Sequence, residues 1–212
     1  MAVLVVRLVV AAVISRVADP QEGHTGIARH SGPCRVVRSL NDPEVSPMFT
    51  RCAKLLLLAG IALFYTLVVF NNLTDFGSNY EFIRHVLSMD TTIPGNHGMW
   101  RALTSPIVHL VFYWSIIAWE FVTMVLLWWG AVHLFRALRM PASDYIAAKR
   151  LAVAALTLSL LMWLVAFLDV GGEWFLMWQS HTWNGQAEAF RMFVMVGFVL
   201  LLLLQPDTDT QP

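Results

Sequence analysis

Residues 107–132 read IVHLVFYWSIIAWEFVTMVLLWWGAV, and this stretch decides the fold class. It exceeds the roughly 20 residues that an α-helix needs to cross the hydrocarbon core of a bilayer. Glu120 is the only Asp, Glu, Lys or Arg within it. Three more apolar runs flank it, at about residues 53–70, 151–170 and 190–204. The last, FRMFVMVGFVLLLLL, is short for a span and draws on its flanks, whereas 107–132 continues as a helix towards Arg139. The whole chain agrees: its 212 residues are 58% hydrophobic and 13% charged, with a mean hydropathy of +0.62. A soluble domain carries about 25% charged residues. The expected architecture is therefore all-α: a polytopic membrane protein, a four-transmembrane-helix bundle with short outward-facing interfacial helices.

Charge sets the exclusions and the orientation. Fourteen basic and fourteen acidic residues cancel, which leaves no bulk electrostatic case for nucleic acid. The two cysteines, Cys34 and Cys52, are too few for a disulfide framework or a thiolate zinc cage. The expected partners are the lipid bilayer and another membrane protein or a second copy of the chain. Arg51, Lys54, Arg136, Arg139, Lys149 and Arg150 sit at one end of the spans, while Arg84, Arg101 and Arg191 at the other are mixed with acids. Basic residues collect on the cytoplasmic side, so both termini are expected there, with two connecting segments facing outward. Trp128 and Trp129 then mark the inner interface, and Trp174, Trp178 and Trp183 the outer one.

Residues 48–207 form the expected four-helix domain, with 208–212 as a short tail. Residues 1–47 do not fit. MAVLVVRLVVAAVIS is broken by Arg7 and too short to span. The stretch after it is rich in Pro, Gly, Arg and Asp, as disordered tails are. Met48 followed by FTRCAK and an apolar run has the form of a protein start. Residues 1–47 are expected to be a disordered or non-native extension arising from an upstream start. N-terminal sequencing of the native protein should then find Met48; a chain beginning at Met1 would refute this.

The connection 71–105 is too long for a plain turn between helices. Within it, YEFIRHVLSM places Phe82, Val86 and Leu87 on one side, among Glu81, Arg84 and His85. This spacing predicts a short amphipathic helix on the outer surface. Gly171-Gly172 predicts the end of the third span, where glycine lets the backbone turn. GGEWFLMWQSHTWNGQAEA, 171–189, then reads as an interfacial cap.

Two groups of residues could carry chemistry. On the second span, Tyr113 and Glu120 lie about 40° and about 20° around the helix from His109, and Thr123 about 40° on the other side. Glu120 stands about 16 Å along the axis from His109, near the expected middle of the membrane. An ionisable residue there is a functional candidate: a proton-accepting carboxylate, or an acid holding a substrate or quinone. The alternative is packing, with Glu120 hydrogen-bonded to Thr157 or Ser159 on the third span. The second group lies in the outward segments. Asn71, Asn72, Asp75, Asn79, Glu81, Arg84, His85, Asp90, Glu173, Trp174, Gln179 and Trp183 make a polar and aromatic concentration suited to a binding surface or shallow pocket. His85, His109 and His181 with nearby carboxylates could ligate zinc, iron or copper, although none shows a recognised metal spacing. Haem needs two facing histidines; His109 and His133 lie at opposite ends of one helix, leaving His109 with His85 or His181 near the outer surface.

These readings favour a non-enzymatic accessory or ligand-binding protein acting through its outward face. One alternative is a membrane redox protein that binds quinone, haem or metal. Another is a small transporter or proton-coupled carrier that uses Glu120, although the chain lacks the repeated halves of a secondary transporter.

NNLTDFGSNYEFIRHVLSMDTT, 71–92, and GGEWFLMWQSHTWNGQ, 171–186, with the four spans around them, resemble a bacterial family of predicted small integral membrane proteins. It is the domain of unknown function numbered two-one-six-five in its series. The resemblance covers about residues 48–207 and implies a bacterial inner membrane, with the two motif segments facing the periplasm. It implies no activity, cofactor or catalytic residue.

Overall fold

A computed structural model describes residues 46–207, so the expectations for the N-terminal extension and for the tail lie outside the described residues. Among those residues the helices are α1 (Pro47–Thr74), α2 (Phe76–Ser88), α3 (Pro106–Ala137), α4 (Ala142–Leu161) and α5 (Gln186–Leu204). Helix α4 runs on without a break into a π-helical half, Met162–Trp174. Short 3₁₀ turns at Met99–Arg101 and Met177–Gln179 lie in the two connections. Helices α1, α3, α4 with its π-helical half, and α5 are each long and apolar enough to cross a membrane. The chain is an all-α integral membrane bundle.

Local chemistry explains where these helices start and stop. Pro47 and Pro106 open α1 and α3, where a missing N–H costs nothing. Helix α1 ends at Asp75, whose N–H donates to the Asn71 carbonyl at 2.8 Å, and α2 leaves it at once. Helix α2 ends on Met89, which adopts left-handed backbone (φ 55°); an unbranched side chain bears that better than Val or Ile would. With 28 residues, α1 rises about 42 Å, so its ends reach both interfaces.

Three boundaries differ from the sequence expectation. The third span passes through Gly171 and Gly172, both buried, and ends at Trp174; the i→i+5 spacing carries the helix past them. The fourth begins at Gln186 instead of about 190, which supplies the missing length. Helix α2 starts at Phe76 and buries Ile83, Val86 and Leu87, joining a core cluster with Tyr113, Ile117, Met89, Phe175 and Met177. It is therefore a roof packed on α3.

The bundle core is held by close approach and by polar pins. Helices α3 and α4 meet where Gly130 faces Ala152, with Ala155 and Ser159 further along the same buried side of α4. Small residues allow backbones to approach when lipid supplies no hydrophobic drive between helices. Deeper in, the Tyr65 hydroxyl lies 2.7 Å from Ser159 Oγ and accepts from Trp163 Nε1 at 3.0 Å. At the end where α1 begins and α5 stops, Arg51 donates to the Leu138 and Met140 carbonyls at 3.0 and 2.7 Å and lies over the Tyr145 ring. Lys54 and Lys149 both grip Asp207, at 2.8 and 2.6 Å, tying α1 and α4 to the end of α5.

Candidate functional site

The other end of the bundle, capped by α2 and the two connections, gathers most of the residues singled out from the sequence. Its first component is a buried polar cluster. Asn72 Nδ2 donates to Glu120 Oε2 at 2.6 Å. The Tyr113 hydroxyl reaches the Asn72 backbone carbonyl at 3.2 Å and its Oδ1 at 3.3 Å. The side-chain donors thus run Tyr113 to Asn72 to Glu120, and among the described residues no basic side chain is bonded to Glu120. Phe76 and Tyr80 of α2 pack over the Tyr113 ring, with centroids 4.7 and 6.2 Å away.

This geometry corrects one expectation. The partner of Glu120 is Asn72 and not Thr157 or Ser159: Ser159 is taken by Tyr65, and Thr157 bonds back to the Val153 carbonyl of its own helix. Asn72 lies in the last turn of α1, while Glu120 is close to the midpoint of α3 (Pro106–Ala137), so the end of α1 meets α3 near its middle. Thr123 bonds to the Trp119 carbonyl and does not join the cluster.

The hydrogen-bond pattern predicts how Glu120 variants behave. Glu120→Gln keeps an acceptor for Asn72 and should melt close to wild type. Glu120→Leu strands the Asn72 amide and should cost about 1–3 kcal/mol, read as a lower melting temperature in detergent. Equal melting of the two variants would contradict this account of the cluster.

The second component is the roof. Arg84 pairs with Glu81 at 2.7 Å, and its NH2 donates to His85 Nε2 at 2.6 Å. A guanidinium can only donate, so the ring hydrogen of His85 is on Nδ1, which donates to Asp90 at 2.8 Å. Trp183 stacks on the His85 ring at 4.5 Å, and Thr91 donates to Ser180 at 2.9 Å. Gln179 Oε1 accepts from the Ile93 N–H at 3.1 Å. Together these contacts join the two connections into one cap. The hydrogen bond from Arg84 holds the Glu81 carboxyl below its ordinary value of 4.5. Such a group lends stability above that value and loses it as pH falls, so the α2–Trp183 contact should loosen on acidification and not on alkalinisation. Trp183 fluorescence against pH checks the sign.

The remaining residues separate. Asp75 marks the α1–α2 corner, where its carbonyl accepts from Asn79. Glu173 contributes its backbone carbonyl to Arg101 NH1 at 3.5 Å and leaves its side chain exposed. His109 Nε2 donates to the Leu103 carbonyl at 2.6 Å, and its buried Nδ1 has no partner. His181 is exposed. Among the described residues, no three His, Cys, Asp or Glu side chains stand close enough to share a metal ion.

The third component has no signature in the sequence. Helices α3 and α4 touch at Gly130 and Ala152, but the π-helical half of α4 packs chiefly on α5. The wedge left between that half and α3 is a cavity of about 660 Å³. Phe112, Ile116 and Trp119 of α3, Val165, Ala166, Phe167 and Val170 of α4, and Ile83, Val86 and Leu87 of α2 supply its apolar wall. Trp119 also ties the two spans there, its Nε1 donating to the Leu158 carbonyl at 3.2 Å just before the backbone turns π-helical. Helical π segments recur at functional sites. Trp119→Phe keeps an aromatic ring but loses that bond and the pyrrole part of the indole, so it should cost at least about 1 kcal/mol and loosen the wedge; an unchanged melting temperature would argue against the tie.

No curated protein and no solved structure matches the chain. The family model described as predicted small integral membrane protein (DUF2165) matches residues 50–206, which takes in every described span and both segments of the cap. The chain belongs to this family of small integral membrane proteins of unknown function.

Proposed function

We propose that this protein is a non-enzymatic binding protein of the bacterial inner membrane that takes the hydrocarbon chain of a membrane lipid into the cavity between α3 and the π-helical half of α4. The cavity carries the reading. Its volume of about 660 Å³ falls within the roughly 300–1,000 Å³ of ligand pockets, and its wall is apolar. It lies between two membrane spans, where the surrounding solvent is itself hydrocarbon chains. The capped end faces the periplasm in this reading: Arg51, Lys54, Arg136, Arg139, Lys149 and Arg150 all lie towards the opposite end, as the cytoplasmic side requires.

Lipid extraction from protein purified out of its native membrane tests this. Wild type should retain about one lipid per chain. Ala166→Phe, which fills the wall, should lose it while melting normally; Ser115→Leu provides a second filling variant from α3. Equal retention by wild type and both variants would refute the proposal. Recovery of a quinone in place of a lipid would refute it too, and would move the protein to an electron-carrying role.

A further inference from the structure

One ionisable group lines the cavity and another lies against a lining tryptophan, and the apolar wall explains neither. Asp169 is part of the lining and is exposed. It has no hydrogen bond or ion pair among the described residues. A carboxylate on a membrane span is costly without a partner. One π-turn further along, Trp174 lines the same cavity, and the Arg101 guanidinium lies 5.4 Å from its ring centroid and 5.9 Å from that of Trp100. Backbone carbonyls hold Arg101: Nε donates to Gly98 at 3.3 Å and NH1 to Glu173 at 3.5 Å. No carboxylate pairs with it among the described residues, whereas Arg84 and Arg191 at this end are both paired.

The cavity thus has a carboxylate, Asp169, set among apolar lining residues, and a cation, Arg101, against the Trp174 ring one π-turn further along. Resting on the proposed function, we infer that the ligand is a single-chain phospholipid. Its phosphate meets Arg101, its free glycerol hydroxyl donates to Asp169, and its acyl chain fills the cavity. Arginine suits phosphate because its planar fork donates two hydrogen bonds at once, and flanking tryptophans suit the headgroup level of a bilayer. The hydroxyl distinguishes this ligand from a two-chain phospholipid: once acylated, that oxygen has no hydrogen to give Asp169. The inference assigns the mouth of the cavity, beyond the chain-binding reading of its interior.

The test is a competition in nanodiscs containing equal amounts of lysophosphatidylcholine, phosphatidylcholine and a monoacylglycerol, with the lipid retained on the ejected protein read by native mass spectrometry; the choline headgroup has no hydroxyl of its own to give Asp169. Wild type should favour the lyso form by at least about tenfold. Asp169→Leu should abolish that preference while still holding lipid. Arg101→Gln should cut retention of both phospholipids about tenfold in favour of the uncharged monoacylglycerol. Equal retention of the lyso and two-chain lipids by wild type would overturn this inference and leave the cavity reading intact. Retention that Ala166→Phe does not reduce would overturn both. Displacement of the lyso lipid by millimolar inorganic phosphate alone would show that Arg101 binds free phosphate, and would also overturn the inference.

Discussion

Gly130→Leu should leave no folded bundle, because at Gly130 the backbone of α3 packs directly on that of α4. A Cβ built there would lie 2.9 Å from Ala152 Cα and 3.0 Å from Ala152 N. Neither atom can move without shifting α4 itself. Overpacking against yielding side chains costs about 1–3 kcal/mol; against a backbone even Gly130→Ala should reach that range, and leucine should exceed it. Gly60 provides the control. It lies in α1 with nothing within 4 Å of an added Cβ, so Gly60→Ala should be neutral or stabilise by up to about 1 kcal/mol through helix propensity. Size-exclusion profiles and melting curves of the three variants separate these outcomes. A well-folded Gly130→Leu would mean that α3 and α4 do not meet as described.

Asp207→Ala should lower stability by about 3 kcal/mol. The Asp207 side chain is 2% exposed and sits between Lys54 and Lys149, themselves 4% and 9% exposed. Removing one partner of a buried ion pair costs about 3–5 kcal/mol, because the other charge remains without compensation. The lower end applies here, since each lysine keeps backbone acceptors: Lys54 the Gln205 carbonyl, Lys149 those of Leu203 and Gln205. Lys54→Met combined with Lys149→Met and Asp207→Leu should recover much of the loss, as apolar replacement of a buried ionic group often does. Melting of single and triple variants in detergent reads this. A triple variant no more stable than Asp207→Ala would show that the three residues do not act as one clamp.

The spans were legible in the sequence because crossing a bilayer requires an apolar length, and 107–132 declares one. The shared face of Tyr113 and Glu120 was legible for a similar reason, since helical periodicity alone puts them together, and both bond to Asn72. The identity of their partner was not. Choosing Asn72 over Ser159 depends on the register between helices, which residue spacing within one helix does not contain. The cavity was hidden for a different reason. It arises because α4 changes its backbone spacing at Met162 and leaves α3, whereas residues 162–170 read as the end of an ordinary apolar span and Gly171-Gly172 as its stop. Asp169 looks like a span-end residue until that divergence places it in the cavity lining, and Arg101 looks like a loop residue until it is seen against Trp174 of the same lining. The cap lay between these cases: α2 was expected from its pattern, but its burial against α3 followed from Ile83 and Tyr113, whose contact no local pattern specifies.

The central claim is that the wedge between α3 and the π-helical half of α4 holds a lipid chain. An electron cryomicroscopy map of the protein in nanodiscs of its native lipids tests it most directly, with an antibody fragment bound at the end opposite the cap for size. The account predicts a continuous chain of density running from beside Arg101 and Trp174 down past Ala166 to Trp119. A wedge closed by direct packing of Phe112 and Ile116 against Val165 and Ala166, with no density between them, would contradict it.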